Sequence, residues 1–131
     1  MKSILLLIGL LWMNCLTSQS QSSKRVNAKL FYSLTQKHPQ ALIIDVRPSE
    51  KFAQYRIKNA LPAPEKNDLL ELTSLLPKTD TIFIYCEKDI RTQPAAETLC
   101  KLGYTNIIEL KGGLISWRRN DLPIDNKSLN K

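Results

Sequence analysis

The sequence predicts an α/β domain with a mostly parallel central sheet and helices on both faces. Three short apolar runs are typical of strands buried on both sides, namely ALIIDV at 41–46, TIFIYC at 81–86 and NIIEL at 106–110. Segments with helical spacing lie between these runs, and no two-residue hairpin turn joins any two of them. Strands that alternate with helices in this way pair in parallel, with the helices packed against the sheet.

Helices are expected at 28–37, 48–55, 67–76, 92–102 and 114–119. Asn27 is a suitable N-cap for the first helix, and Pro48 suits the first turn of the second. Pro77 closes the leucine-rich third helix, and Gly103 is a C-terminal stop for the fourth. Two prolines make the segment 59–64 extended or turning rather than helical.

The N-terminus predicts that the protein is exported. Lys2 precedes ten apolar residues at 4–13, too few to span a bilayer, so a cleaved signal peptide is expected over 1–20. A lipoprotein signal, with a lipid anchor on Cys15, stays open as the alternative. The rest divides into a linker over 21–25, one domain over 26–125 and a C-terminal tail over 126–131. We therefore expect the protein in the periplasm or cell envelope.

Charge and cysteine content narrow the function classes. The net charge is +7, but Lys and Arg are scattered rather than gathered in a stripe with aromatics. This argues against a nucleic-acid partner and favours encounter with small anions. If 92–102 is helical at ~1.5 Å per residue, Cys100 lies more than ~10 Å along the helix, beyond the ~4.4–6.8 Å Cα separation of a disulfide with Cys86. Both are thus expected as free thiols, and nothing demands more than a monomer.

A cysteine stands where the second predicted strand ends and a helix is about to begin. In parallel sheets, ligands bind at the carboxyl ends of strands, and Cys86 lies at such an end. Unsatisfied N–H groups of a tight loop leading into a helix, together with Arg91, would stabilise a thiolate there and bind an anionic substrate. The alternative is a small buried hydrophobe, which the charged residues 87–89 disfavour. The pattern therefore predicts a nucleophile.

Several motifs, in their order, resemble the rhodanese (sulfurtransferase) domain over about Val26 to Pro123. They are IIDVRPSEKF at 43–52, Cys86-x4-Arg91-Thr92, Ala95-Ala96, Gly103-Tyr104 and LKGGLISW at 110–117. The resemblance implies a rhodanese-like three-layer fold in a single-domain, exported form.

The same resemblance implies a sulfurtransferase. Cys86 would take sulfane sulfur from a small donor, thiosulfate or a thiol persulfide, and pass it as a cysteine persulfide to a thiophilic acceptor, including a protein acceptor. The amides of the loop would cradle the persulfide and donor, and the loop consists of Glu87, Lys88, Asp89, Ile90, Arg91 and Thr92. Asp45 and Arg47 are implied as a supporting framework beside the site. No metal or cofactor is expected.

Departures from the family pattern keep other functions open. Asp89 stands where the family usually has glycine, and Tyr55-Arg56-Ile57 replaces the usual GHI. Lys88 and Arg91 are expected to balance the two loop acids, which makes thiosulfate a less favoured donor. The four residues between Cys86 and Arg91 disfavour a phosphatase, since phosphatases of this fold have five. A non-catalytic binding module and a thiol-redox protein of the cell envelope are the alternatives.

Overall fold

A five-stranded parallel sheet is the centre of the fold, seen in a computed structural model that describes residues 23–126. The elements in chain order are β1 (Lys24–Val26), α1 (Ala28–Lys37), β2 (Leu42–Asp45), α2 (Ser49–Gln54), β3 (Tyr55–Arg56), β4 (Leu61–Pro62), α3 (Lys66–Thr73), β5 (Thr81–Tyr85), α4 (Thr92–Lys101), β6 (Asn106–Leu110), α5 (Gly113–Arg119) and β7 (Asp125–Asn126). The sheet order is β1-β6-β5-β2-β4, with every pair parallel. Strands β3 and β7 form a separate antiparallel pair. The predicted fold class is confirmed.

Alternating side chains of the strands fill two cores, one on each face of the sheet. On one face, Phe31 packs edge-on against Phe83 and Trp117, with ring centroids 5.2 and 6.2 Å away. On the other face, Ile84 packs in a cluster with Leu99 and Tyr104, beneath α3 and α4. Successive residues of a strand point to opposite faces, so continuous apolar strands require cover on both sides.

The domain begins earlier than predicted. Lys24 and Arg25, which were assigned to a linker over 21–25, belong to β1 and pair with Ile108 and Glu109 of β6. A three-residue edge strand with two exposed cations carries too little apolar pattern to be seen in sequence. Strand β7 likewise reaches Asn126, the first residue of the predicted tail. The predicted signal peptide, Cys15, residues 21–22 and residues 127–131 lie outside the described residues.

Helix α3 is shorter than predicted. It ends at Thr73 rather than residue 76, and Leu75 is 95% exposed. The amide of Leu76 donates to the carbonyl of Thr73 at 3.0 Å, which tightens the chain into a turn before Pro77. A residue before proline is disfavoured in the α region, so the leucine spacing overstated the helix. Among residues 23–126, no helix is long and apolar enough to cross a membrane.

Candidate active site

The loop that begins at Cys86 lies at the carboxyl edge of the sheet. Strand β5 ends at Tyr85 and α4 begins at Thr92, so the loop connects a central strand to a helix N-terminus. The neighbouring strand β2 ends at Asp45, which pairs with Tyr85 in register. Parallel pairing therefore brings the predicted framework residues next to the predicted nucleophile.

The side chain of Cys86 is buried at the start of this loop. The residue is 2% exposed and packs in the cluster that contains Val46, Ala63 and Ala96. The amide of Asp89 donates to its Sγ at 3.0 Å, the single hydrogen bond to the sulfur within residues 23–126. We expected several converging amides, and one reaches the sulfur itself.

Other donors of the loop have no protein acceptor in the described part of the chain. They are the amides of Glu87, Lys88, Ile90 and Arg91, which donate to none of its backbone or side-chain acceptors. The hydroxyl of Thr92 is buried and also without a hydrogen-bond partner among residues 23–126. Unsatisfied donors around a thiol are a suitable setting for an anionic sulfur ligand.

Asp89 adopts an unusual backbone conformation at the centre of the loop. Its φ is +92°, in the region that glycine enters most readily. Its Oδ1 accepts a hydrogen bond from the amide of Gly112 at 2.9 Å, and its Oδ2 pairs with Arg25 at 2.9 Å. Sequence reasoning noticed Asp89 but missed both partners. An acid at a glycine position was the available signal that its carboxylate is anchored elsewhere.

The first turn of helix α5 is hydrogen-bonded to the start of the loop. The amide of Leu114 donates to the carbonyl of Cys86 at 2.8 Å, and that of Ile115 donates to the carbonyl of Glu87 at 3.3 Å. A Cβ on Gly113 would lie 2.3 Å from the Glu87 carbonyl oxygen, far inside contact distance. Gly113 therefore permits the close approach of α5 to the loop.

A buried ion-pair network joins the framework to the loop. Arg47 is fully buried and bonds both oxygens of Asp45, with Nε–Oδ1 at 3.0 Å and Nη2–Oδ2 at 2.8 Å. Its Nη1 donates to Glu87 Oε2 at 3.1 Å, and Nη2 donates to the carbonyl of Tyr55 at 2.5 Å. Burial alone would lower the pKa of Arg47, but the hydrogen bond and charge of Asp45 outweigh it and raise that pKa. The guanidinium is thus a permanent cation.

The formal charges of residues 87–92 cancel as expected, but the ion pairs of the two loop acids do not form inside the loop. Glu87 pairs with Arg47, which also bonds Asp45, and Asp89 pairs with Arg25, so both loop acids have their ion-pair partners outside the loop. Lys88 and Arg91 are exposed and take part in none of the ion pairs of residues 23–126. The formal charge did not predict these pairs, because proximity in sequence says little about which side chains face one another in a tight turn.

A cavity of about 380 Å³ adjoins the loop at Arg91. Its apolar wall includes Val46, Ala63 and Leu69, which belong to the same packed cluster as Cys86. Lys66 lies among its charged lining residues. Cavities of ~300–1,000 Å³ accommodate organic molecules of ordinary size. Within residues 23–126, no group of three or more His, Cys, Asp and Glu side chains could hold a metal ion.

Comparison with known proteins agrees with this geometry. Residues 27–120, well over half of the chain, match the family described as the rhodanese-like domain. The chain belongs to the rhodanese-like domain family.

Two named relatives and one solved structure extend this assignment. A sulfurtransferase of Allochromatium vinosum is 34% identical over 83 residues, covering 63% of this chain and 77% of the relative. The thiosulfate sulfurtransferase GlpE of Haemophilus influenzae is 28% identical over 85 residues, covering 65% and 80%. The crystal structure of the Alr3790 protein from Anabaena superposes with a TM-score of 0.68 at 28% identity, covering 77% of this chain and 91% of that one. At the level of the family, this rhodanese-like domain is therefore of the sulfurtransferase type.

Proposed function

We propose that the protein moves sulfane sulfur from a small anionic donor to a thiophilic acceptor through a persulfide on Cys86. The observation that carries the proposal is the 3.0 Å hydrogen bond from the Asp89 amide to the Cys86 sulfur, at the carboxyl end of a central strand. A donor amide at that distance stabilises a thiolate more than a thiol.

The proposed cycle needs no oxidant or reductant beyond its two substrates. The Cys86 thiolate attacks the outer sulfur of thiosulfate, the sulfur–sulfur bond of the donor breaks, and its electron pair leaves with sulfite. The enzyme then carries a Cys86 persulfide. An acceptor thiolate or cyanide attacks the terminal sulfur, forms a new bond to it and releases the Cys86 thiolate.

Unsatisfied donors support the persulfide stage. The terminal sulfur of a persulfide is an anion that needs hydrogen bonds in a buried site. The amides at 87, 88, 90 and 91 and the buried Thr92 hydroxyl are available for it, since they have no acceptor among residues 23–126. The Asp89 amide is already committed to the sulfur of Cys86.

Charge supports an anionic donor. Residues 87–92 are formally neutral, and counting Arg25, Arg47 and Asp45 with them adds one positive charge in total, before the thiolate is counted. This positive charge supports thiosulfate as a donor, which the formally neutral loop had made less favoured, and it suits a carboxylate-bearing thiol persulfide equally. Attraction between such exposed cations and a donor weakens as salt is added.

The test is turnover with thiosulfate and cyanide, followed as thiocyanate formation. We expect activity that Cys86→Ser abolishes and Cys100→Ser retains. Lys88→Glu should lower kcat/KM for thiosulfate severalfold because it reverses one of the two loop cations. Absence of turnover with every sulfane donor tried would contradict the proposal. A mixed disulfide at Cys86 without any persulfide would instead indicate a thiol-redox protein.

The proposed setting is outside the cytosol, in the periplasm or cell envelope, where a protein thiol could serve as acceptor. This part of the proposal rests on the apolar run at 4–13, outside the described residues. The N-terminal residue of the mature protein would separate a cleaved signal from a lipid-anchored Cys15.

A further inference from the structure

We propose that Arg25 is a positioning residue of the sulfur-transfer loop, acting through Asp89 on the sulfur of Cys86. The inference rests on the proposed function, because a precisely held loop matters most if Cys86 carries sulfur. Arg25 lies on the edge strand β1, 61 positions before the cysteine.

Asp89 connects three parts of the molecule. Its Oδ2 pairs with the Arg25 guanidinium on β1 at 2.9 Å, and its Oδ1 accepts from the Gly112 amide just before α5 at 2.9 Å. Its own amide donates to Cys86 Sγ at 3.0 Å. The carboxylate end of this residue is therefore anchored from two sides while its backbone end contacts the sulfur.

The anchoring offsets an unfavourable backbone conformation. With φ at +92°, Asp89 occupies a region where a side chain is strained and from which a free loop would relax. Relaxation to negative φ would rotate the peptide group and move its N–H away from the sulfur. Arg25 and Gly112 hold the carboxylate so that the strained conformation persists.

Arg25 makes this contact although another carboxylate is close. In the parallel pairing of β1 with β6, its register partner is Glu109, whose side chain lies on the same face of the sheet. Glu109 is buried, and its Oε1 has no hydrogen-bond partner among residues 23–126. The guanidinium nevertheless pairs with Asp89, as a loop anchor would. It also neutralises a carboxylate that would otherwise repel the Cys86 thiolate.

The test measures Cys86 itself, by its rate of alkylation with iodoacetamide at neutral pH, read by mass spectrometry of the peptide that contains Cys86. Arg25→Ala should slow alkylation by about threefold to tenfold, because the carboxylate of Asp89 then has no partner cation and is held by Gly112 alone. Arg25→Lys should retain most of the rate, since it keeps the cation. Lys24→Ala, next to it on the same strand, is the matched control and should leave the rate unchanged.

A double-mutant cycle separates positioning from a general effect on the fold. In an Asp89→Gly background, glycine adopts the positive φ freely and no carboxylate remains to be neutralised. Arg25→Ala should then change the alkylation rate by less than about a factor of two. Equal losses in both backgrounds, or no loss in the native background, would overturn the proposal.

Sulfur loading separates this inference from the proposed function. If the native protein takes up sulfur but Arg25→Ala alters neither loading nor alkylation, the anchor is refuted and the sulfurtransferase stands. If alkylation shows the expected coupling but no donor loads sulfur on Cys86, the anchor stands and the proposed reaction fails.

Discussion

Asp89 shows how aspartate can stand at a position that favours glycine when its carboxylate is held by other parts of the fold. Glycine would enter φ of +92° at little cost, whereas aspartate does so with its carboxylate bonded to Gly112 and Arg25. Aspartate at position 89 lacks the backbone freedom of glycine, but its carboxylate makes two contacts that hold the loop. The sequence showed that aspartate replaces glycine at position 89, but it did not show the ion pair that stabilises it, because Arg25 lies 64 residues away in the chain.

Tyr85, the residue before Cys86, should make the stability of the protein depend on pH in alkali. Its ring is fully buried, and its hydroxyl oxygen accepts from the amide of Ile57 at 3.1 Å. Burial, with the nearby charge of Asp45, raises the pKa of Tyr85 far above its ordinary value of 10.0. In the unfolded chain the phenol ionises near pH 10 while the folded protein keeps its proton. Stability from this group is therefore fully present below about pH 10 and is lost above it.

We expect the free energy of unfolding to fall above pH 10 by about 1.4 kcal/mol per pH unit for this proton. Cys100 adds to the fall from about pH 9, because burial raises the pKa of its thiol above 9.0. Urea denaturation at pH 8 to 11 would measure both effects. Tyr85→Phe in a Cys100→Ser background should flatten the curve, and an unchanged slope in that double variant would contradict the assignment.

At the scale of elements, the contact of α5 with the loop is the critical junction. Two amides of the first turn of α5 donate to the carbonyls of Cys86 and Glu87, so the helix fixes the position of the loop backbone. This approach is close enough to leave no room for a Cβ at Gly113. The conformation of the loop after β5 therefore depends on where α5 is placed.

Gly113→Ala should therefore lower the free energy of unfolding by about 2–4 kcal/mol and abolish sulfur transfer. The added Cβ would meet the Glu87 carbonyl oxygen at 2.3 Å. Gly103→Ala is the matched control, since it also has positive φ but its Cβ would come no closer than 3.9 Å to the Lys78 side chain. We expect about 1 kcal/mol there, with activity retained. Equal losses of stability and activity in the two variants would refute the close-approach explanation.

Elements with strong patterns were predictable, and short ones were not. The run NIIEL matches β6 at 106–110, and the Asn27 cap begins α1 with its Oδ1 accepting from the Leu30 amide. The two-residue strands β3 and β7 escaped prediction because two residues carry no periodicity, and β4 lies in the segment 59–64, which was expected only to be extended or turning. Their pairing is decided by tertiary contacts, which local sequence does not encode.

At the scale of the whole molecule, parallel order places the predicted site residues together. Strands β2 and β5 are neighbours, so Asp45, Arg47 and the loop after Cys86 share one edge of the sheet. That much followed from the strand pattern and the motifs. The ion-pair partners did not follow, since they join residues from β1, β2 and the loop that are far apart in sequence.

These ion pairs also show where the positive charge of the chain lies near Cys86. A net charge of +7 said only that small anions were plausible partners. The ion pairs hold Glu87 and Asp89 to arginines outside the loop, whereas the loop cations Lys88 and Arg91 are exposed and take part in none of the ion pairs of residues 23–126. Their field adds to that of the chain as a whole and favours the approach of small anions.

Intact-mass measurement after incubation with thiosulfate or glutathione persulfide is the most direct test of sulfur transfer through Cys86. The native protein and Cys100→Ser should each gain the mass of one sulfur atom on Cys86, removable by cyanide, whereas Cys86→Ser should gain none at any position. If the native protein gains no sulfur from either donor, or if Cys86→Ser gains it equally, Cys86 is not the sulfur carrier.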